Sequence, residues 1–115
     1  MSVEIYHNPR CSKSRETLAL LESNGVNPTV IEYLKTPIDS DTLANLLSKL
    51  GFSSAHQLVR SKETLYKELG LSKDSNEATL RTAMLENPKL IERPIVVKGD
   101  KAAIGRPPES VLDIL

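Results

Sequence analysis

The 115-residue chain has a single cysteine, which excludes an intrachain disulfide, and only two histidines, too few with one thiol for a structural zinc site. Neither sign of charge is in excess, since fifteen Lys and Arg face fifteen Asp and Glu. Such a balance gives no bulk charge to hold nucleic acid or an anionic membrane, so any functional charge must be local. No apolar run approaches the roughly 20 residues needed to span a bilayer. Met1-Ser2-Val3-Glu4 lacks the basic-then-apolar layout of a secretory signal, and a cytoplasmic protein is expected. There is no internal repeat, low-complexity tract or interdomain linker. With 39% hydrophobic and 26% charged residues, the composition suits one domain over residues 1–115.

Val3-Glu4-Ile5-Tyr6 alternates at the strand period and Asn8-Pro9 breaks it. Ser12 is then placed to cap a helix that turns Leu18, Leu20 and Leu21 inward and stops at Asn24-Gly25. The β-branched stretch Thr29 to Leu34 reads as a second strand closed by Thr36-Pro37. A β-α-β unit of this kind has parallel strands, which puts the Cys11 loop at the carboxyl end of the first. Leu43, Leu46, Leu47 and Leu50 fall at helical spacing, with Asp39 or Ser40 as cap and Gly51 as stop. Shorter helical stretches are expected over Ala55 to Arg60 and Lys62 to Leu69. Asp74-Ser75-Asn76-Glu77 resembles a capping box for a further helix with Leu80, Ala83 and Met84 inward. Ile95-Val96-Val97 and Ala102-Ala103-Ile104 flank Gly99-Asp100, a suitable hairpin turn. Pro107-Pro108-Glu109 favours a last helix with Val111, Leu112 and Leu115 on its apolar face. The order describes an α/β, thioredoxin-like fold with a mixed sheet (β-α-β, β-β-α) and an inserted helical subdomain at about 38–88. In that layout the bond before Pro94 is a natural candidate for cis geometry, bringing Arg93 towards the thiol loop.

Cys11 lies at a helix start, where the peptide dipole and unpaired N–H groups favour thiolate, and Arg10, Lys13 and Arg15 add positive charge. The bland alternative is a small buried hydrophobe. By themselves His7 reads as ending the first strand on a carbonyl and Ser14 as satisfying the first helical turn. Arg60, on an expected helix, reads by itself as a solvated charge. Arg93 and Arg106 each precede a proline at a strand edge, as loop charges, as structural donors to carbonyls or as two sides of an anion site. For Arg15, partners at Glu16 or Glu22 are within helical reach.

Three blocks, His7-Asn8-Pro9-Arg10-Cys11-Ser12-Lys13-Ser14-Arg15, Arg93-Pro94-Ile95-Val96-Val97 and Gly105-Arg106-Pro107, resemble the glutaredoxin-dependent arsenate reductase family in order and spacing. That resemblance covers nearly the whole chain. It implies an oxidoreductase that reduces arsenate to arsenite through a Cys11 adduct, with His7 and Ser14 assisting and Arg60, Arg93 and Arg106 holding the oxyanion. It implies no tightly bound cofactor and no metal, and names glutathione as co-substrate and glutaredoxin as partner. The chemistry is coherent, because arsenic needs a soft nucleophile and its oxygens need donors such as the guanidinium fork. Lacking a second cysteine, the chain needs external thiols to resolve an adduct. Arg10 and Lys13 stand where the family commonly has small or neutral residues. A phosphatase-like C-x5-R loop is excluded, since Thr17 occupies the sixth position after Cys11. The alternatives are another thiol substrate, or a non-enzymatic regulator of the Spx type that binds RNA polymerase. Spx-type proteins commonly carry a C-x-x-C switch, and Ser14 stands at its second position.

Overall fold

Val3–Tyr6 forms β1, with Val3 and Ile5 buried and Glu4 and Tyr6 half-buried, as its alternation requires. β2, Thr29–Ile31, pairs with it in parallel, Glu4 opposite Thr29 and Tyr6 opposite Ile31. On the other side β3, Ile95–Lys98, runs antiparallel to β1, and β4, Lys101–Ile104, runs antiparallel to β3. The mixed sheet has the order β2-β1-β3-β4. Between β1 and β2 lies α1, Ser12–Ser23. The structure, a computed structural model, describes residues 2–115.

The chain forms two compact units. One runs to Thr36 and resumes over Arg93–Leu115; the other is Pro37–Glu92. In the first, Val3, Ile5 and Val96 of the sheet pack with Leu21 of α1 and Val111 of the terminal 3-10 helix, Pro108–Ile114. That helix buries Val111 but leaves Leu112 39% exposed, so the expected apolar face is narrower than its leucine spacing suggested. The tighter 3-10 winding is the reason, because it eclipses positions three apart.

Two further expectations are corrected. The strand expected to reach Leu34 ends at Ile31, because the Glu32 carbonyl accepts the N–H groups of Lys35 (2.9 Å) and Thr36 (3.0 Å). A local turn thereby overrides β-branched propensity. The cap of α1 is Cys11, not Ser12: its backbone is extended (φ −95°, ψ 124°) while its carbonyl already accepts the Arg15 N–H at 3.0 Å.

In the second unit α2, Ser40–Leu50, is capped by Asp39, whose Oδ1 accepts the Thr42 N–H at 2.8 Å, and is ended by Gly51 at φ 74°. Only glycine adopts that left-handed turn without cost. Helix α3 is confined to Thr64–Glu68, and the stretch expected after Ala55 is a single 3-10 turn, Ala55–Gln57. Helix α4, Glu77–Glu86, turns Leu80, Ala83 and Met84 inward as expected. Its cap is Asn76 rather than a box closed by Glu77.

The Glu77 carboxylate instead holds the 3-10 turn. Its Oε2 accepts from Ser54 Oγ (2.7 Å), and its Oε1 accepts from the Ala55 N–H (2.7 Å) and Arg81 Nε (2.9 Å). Burial raises its pKa, but the bonds from Ala55, Ser54 and Arg81 outweigh that and hold it below the usual carboxylate range. Glu77→Gln is therefore expected to destabilise the protein by about 1 kcal/mol at neutral pH, a figure already reduced for partial exposure. A depressed carboxylate pKa contributes above the unfolded value and is lost as pH falls through the folded one. Urea titrations at several pH values check this, with the difference from wild type vanishing in acid.

Candidate active site

The register of the sheet assembles the site. Tyr6 at the end of β1 pairs with Ile95 at the start of β3, and Ile95 pairs with Ile104 at the end of β4. The chain after β1, the chain before β3 and the chain after β4 therefore meet at one sheet edge. They carry Cys11, Arg93 and Arg106 respectively. The Arg93-Pro94 bond is cis, as the layout suggested, and so is Arg106-Pro107.

The thiol loop is built from its own backbone. His7 N–H donates to the Ile31 carbonyl (2.8 Å), extending the parallel ladder one residue beyond β1. Asn8 then organises the turn: its carbonyl accepts the Cys11 N–H and its Oδ1 accepts the Arg10 N–H, both at 3.0 Å. Cys11 is 8% exposed, and with Ser14, Thr17 and Leu21 it forms the buried stripe of α1.

Burial pushes the Cys11 thiol up. Against it act the backbone N–H groups of Ser14 and Lys13 and the charges of Arg93 and Arg106, and the net result is a thiol pKa below the ordinary value. The sulfur takes no regular side-chain cap bond, but these helix N–H groups favour its ionised form. Arg106 approaches directly, with Nη2 3.7 Å from Sγ, while its Nε donates to the Arg93 carbonyl at 2.9 Å. Arg93 contributes its charge, and its Nε and Nη1 are buried with no hydrogen-bond partner among the described residues.

His7 and Ser14 are both buried and joined, Nδ1 to Oγ, at 2.6 Å. Ser14 Oγ also accepts the Asn8 N–H at 3.0 Å, which leaves its proton for His7. Burial lowers the His7 pKa, Glu32 opposes the shift and Arg15 adds to it, so the ring is neutral near pH 7 and Nδ1 accepts. His7 thus fixes Ser14, and the Ser14 backbone N–H faces the thiol.

Two of the three basic neighbours in sequence are engaged elsewhere. Lys13 pairs with Glu16 at 3.5 Å, and Arg15 donates to the Pro9 carbonyl at 2.9 Å rather than pairing with Glu16 or Glu22. Arg60 belongs to the second unit, where Nη1 meets Glu63 (3.0 Å) and Nε meets Glu92 (3.3 Å). Thr17, fully buried on α1, was not singled out as a site residue from sequence. Its place three after Ser14 and four before Leu21, on one helix face, marks it as a buried position.

A thioredoxin-like sheet with one thiol at the head of its first helix, faced by the arginine preceding a cis proline, defines a thioredoxin-like thiol protein. Comparison with known proteins narrows this. The model of the ArsC family matches residues 6–114, and the chain belongs to that family. It is similar to an arsenate reductase of Haemophilus influenzae, 53% identical over the full length of both chains. An uncharacterised protein of Escherichia coli is 62% identical, over 98% of this chain and 96% of its own. Among solved structures, an arsenate reductase from Vibrio cholerae is 55% identical and superposes with a TM-score of 0.96, covering 100% of this chain and 98% of that one. Among the described residues, no helix is long and apolar enough to cross a membrane.

Proposed function

We propose that this protein reduces arsenate to arsenite in the cytoplasm, using glutathione and glutaredoxin as thiol donors. The observation that carries the reading is the meeting of a thiolate-favouring Cys11 with two guanidiniums, one 3.7 Å from the sulfur and one with two buried, unpartnered nitrogens. A soft nucleophile and unspent oxyanion donors are what a tetrahedral arsenic oxyanion requires. The named relatives support the same reading.

Cys11 thiolate attacks arsenic, forming an S–As bond, and one oxygen leaves as water after protonation. Arg93 and Arg106 neutralise the remaining oxygens. A glutathione thiol displaces a second oxygen as water and forms a second S–As bond. A glutaredoxin thiolate then attacks the glutathione sulfur: a disulfide forms, the glutathione S–As bond breaks, and its electron pair reduces As(V) to As(III). Water releases arsenite and frees Cys11. The chain's single cysteine makes the external thiols necessary. His7, through Ser14, is a positioning residue for the thiolate. Arg60 enters this reading through the resemblance alone, since its own bonds are to Glu63 and Glu92.

The test is arsenate-dependent NADPH consumption in an assay coupled through glutaredoxin, glutathione and glutathione reductase. Turnover is expected with wild type, and folded protein that gives none rejects the proposal.

A further inference from the structure

Thr17 is a polar side chain with 0% exposure, and its hydroxyl is spent within its own helix, donating to the Lys13 carbonyl at 2.8 Å. Its flank abuts Gly105. A Cβ built on Gly105 would collide with Thr17 Oγ1 and with Pro94 Cγ (2.8 Å), and would press on Thr17 Cγ2 at 3.0 Å. Gly105 is buried, its φ is not one that demands glycine, and so the requirement here is for space alone. Both segments that carry the arginines end at this contact. Gly105 N–H donates to the Pro94 carbonyl at 2.9 Å, and the next residue, Arg106, donates from Nε to the Arg93 carbonyl.

We infer that Thr17 and Gly105 are positioning residues: their side-chain-to-backbone contact sets how closely Arg93 and Arg106 approach Cys11. Arg93-Pro94 and Gly105-Arg106 are tied to each other by two hydrogen bonds, and the pair is seated on α1 through Thr17, six residues along the buried stripe from the thiol. Protein interiors are packed too densely to absorb a methyl group here without displacing one partner. Thr17 is fixed by its helix, so the arginine-bearing segments move. This inference rests on the arsenate reading only in taking Cys11 as the reacting group.

The pH dependence of Cys11 alkylation by iodoacetamide tests it without arsenate turnover. In Gly105→Ala the profile is expected to move to higher pH, with the rate at pH 7 falling about three- to tenfold as thiolate is lost. Protection by arsenate weakens in parallel. Adding Thr17→Ala removes the Oγ1 and Cγ2 contacts but leaves the one with Pro94 Cγ, and is expected to return the profile part of the way towards wild type. A folded Gly105→Ala protein with an unchanged profile overturns the inference, as does a double variant no better than the single. If Gly105→Ala alone does not fold, recovery of a folded, alkylatable protein on adding Thr17→Ala supports the contact, and a double variant that also fails to fold overturns it. Wild-type protein without arsenate turnover would sink the functional proposal and leave this test standing.

Discussion

Cys11→Ser is expected to abolish arsenate turnover while leaving the protein at least as stable as wild type wherever the wild-type thiol is protonated. Loss of activity follows from chemistry, since a serine hydroxyl is not ionised at neutral pH and is a poor nucleophile for arsenic. The gain in stability follows from position. Cys11 is the N-cap of α1, where serine is among the best residues and a thiol is a weak acceptor. Serine Oγ would accept from Lys13 or Ser14, the two N–H groups that now face the sulfur. The expected gain is about 0.5–1 kcal/mol while the wild-type thiol is protonated. Above the thiol's pKa the ranking shifts. A group whose folded pKa is depressed contributes fully above its unfolded value, about 8.5, and loses that contribution as pH falls through the folded value. Wild type should therefore gain on the serine variant as pH rises. Chemical denaturation from pH 6 to 9 measures this, and an advantage for serine that grows with pH would contradict the thiolate assignment.

Much of the fold was legible because its signals are local. Alternation in Val3–Tyr6, the Gly99-Asp100 turn, the leucine spacing of α2 and the glycine that ends it each act within a few residues. Errors came where a distant or competing partner decides. Glu77 looked like half of a local cap but bonds Ser54 and Ala55, 23 and 22 residues away in sequence. Cys11 rather than Ser12 caps α1 because the Asn8 turn delivers an extended residue there. Charge proved equally deceptive: Lys13 and Arg15 are near the thiol in sequence but bonded elsewhere, whereas Arg93 and Arg106 reach it through strand register. Thr17 was invisible for a similar reason, since the constraint on it comes from Gly105, on the far side of the fold's insertion in sequence.

Arg93→Met should cut kcat/KM for arsenate by about 10²- to 10³-fold, the scale for losing one preorganised oxyanion donor. It should also raise stability by about 1–3 kcal/mol, the usual cost of buried polar groups left unpaired. The two effects have one cause. Nε and Nη1 of Arg93 are shielded from water and bonded to none of the described residues, so the folded chain bears their desolvation until an anion arrives. Methionine fills similar volume with no donors to satisfy. Arg106→Met provides the contrast. Arg106 is an exposed residue whose Nε is bonded to the Arg93 carbonyl, so its replacement breaks a link between the two segments. It should lower activity without the gain in stability. Steady-state kinetics and thermal melts of both variants, with and without saturating arsenate, separate the roles. At the same arsenate concentration wild type should be stabilised more than Arg93→Met, because ligand stabilisation grows with the logarithm of affinity for the native state. Equal stabilisation of the two would mean that the buried nitrogens of Arg93 do not receive the anion.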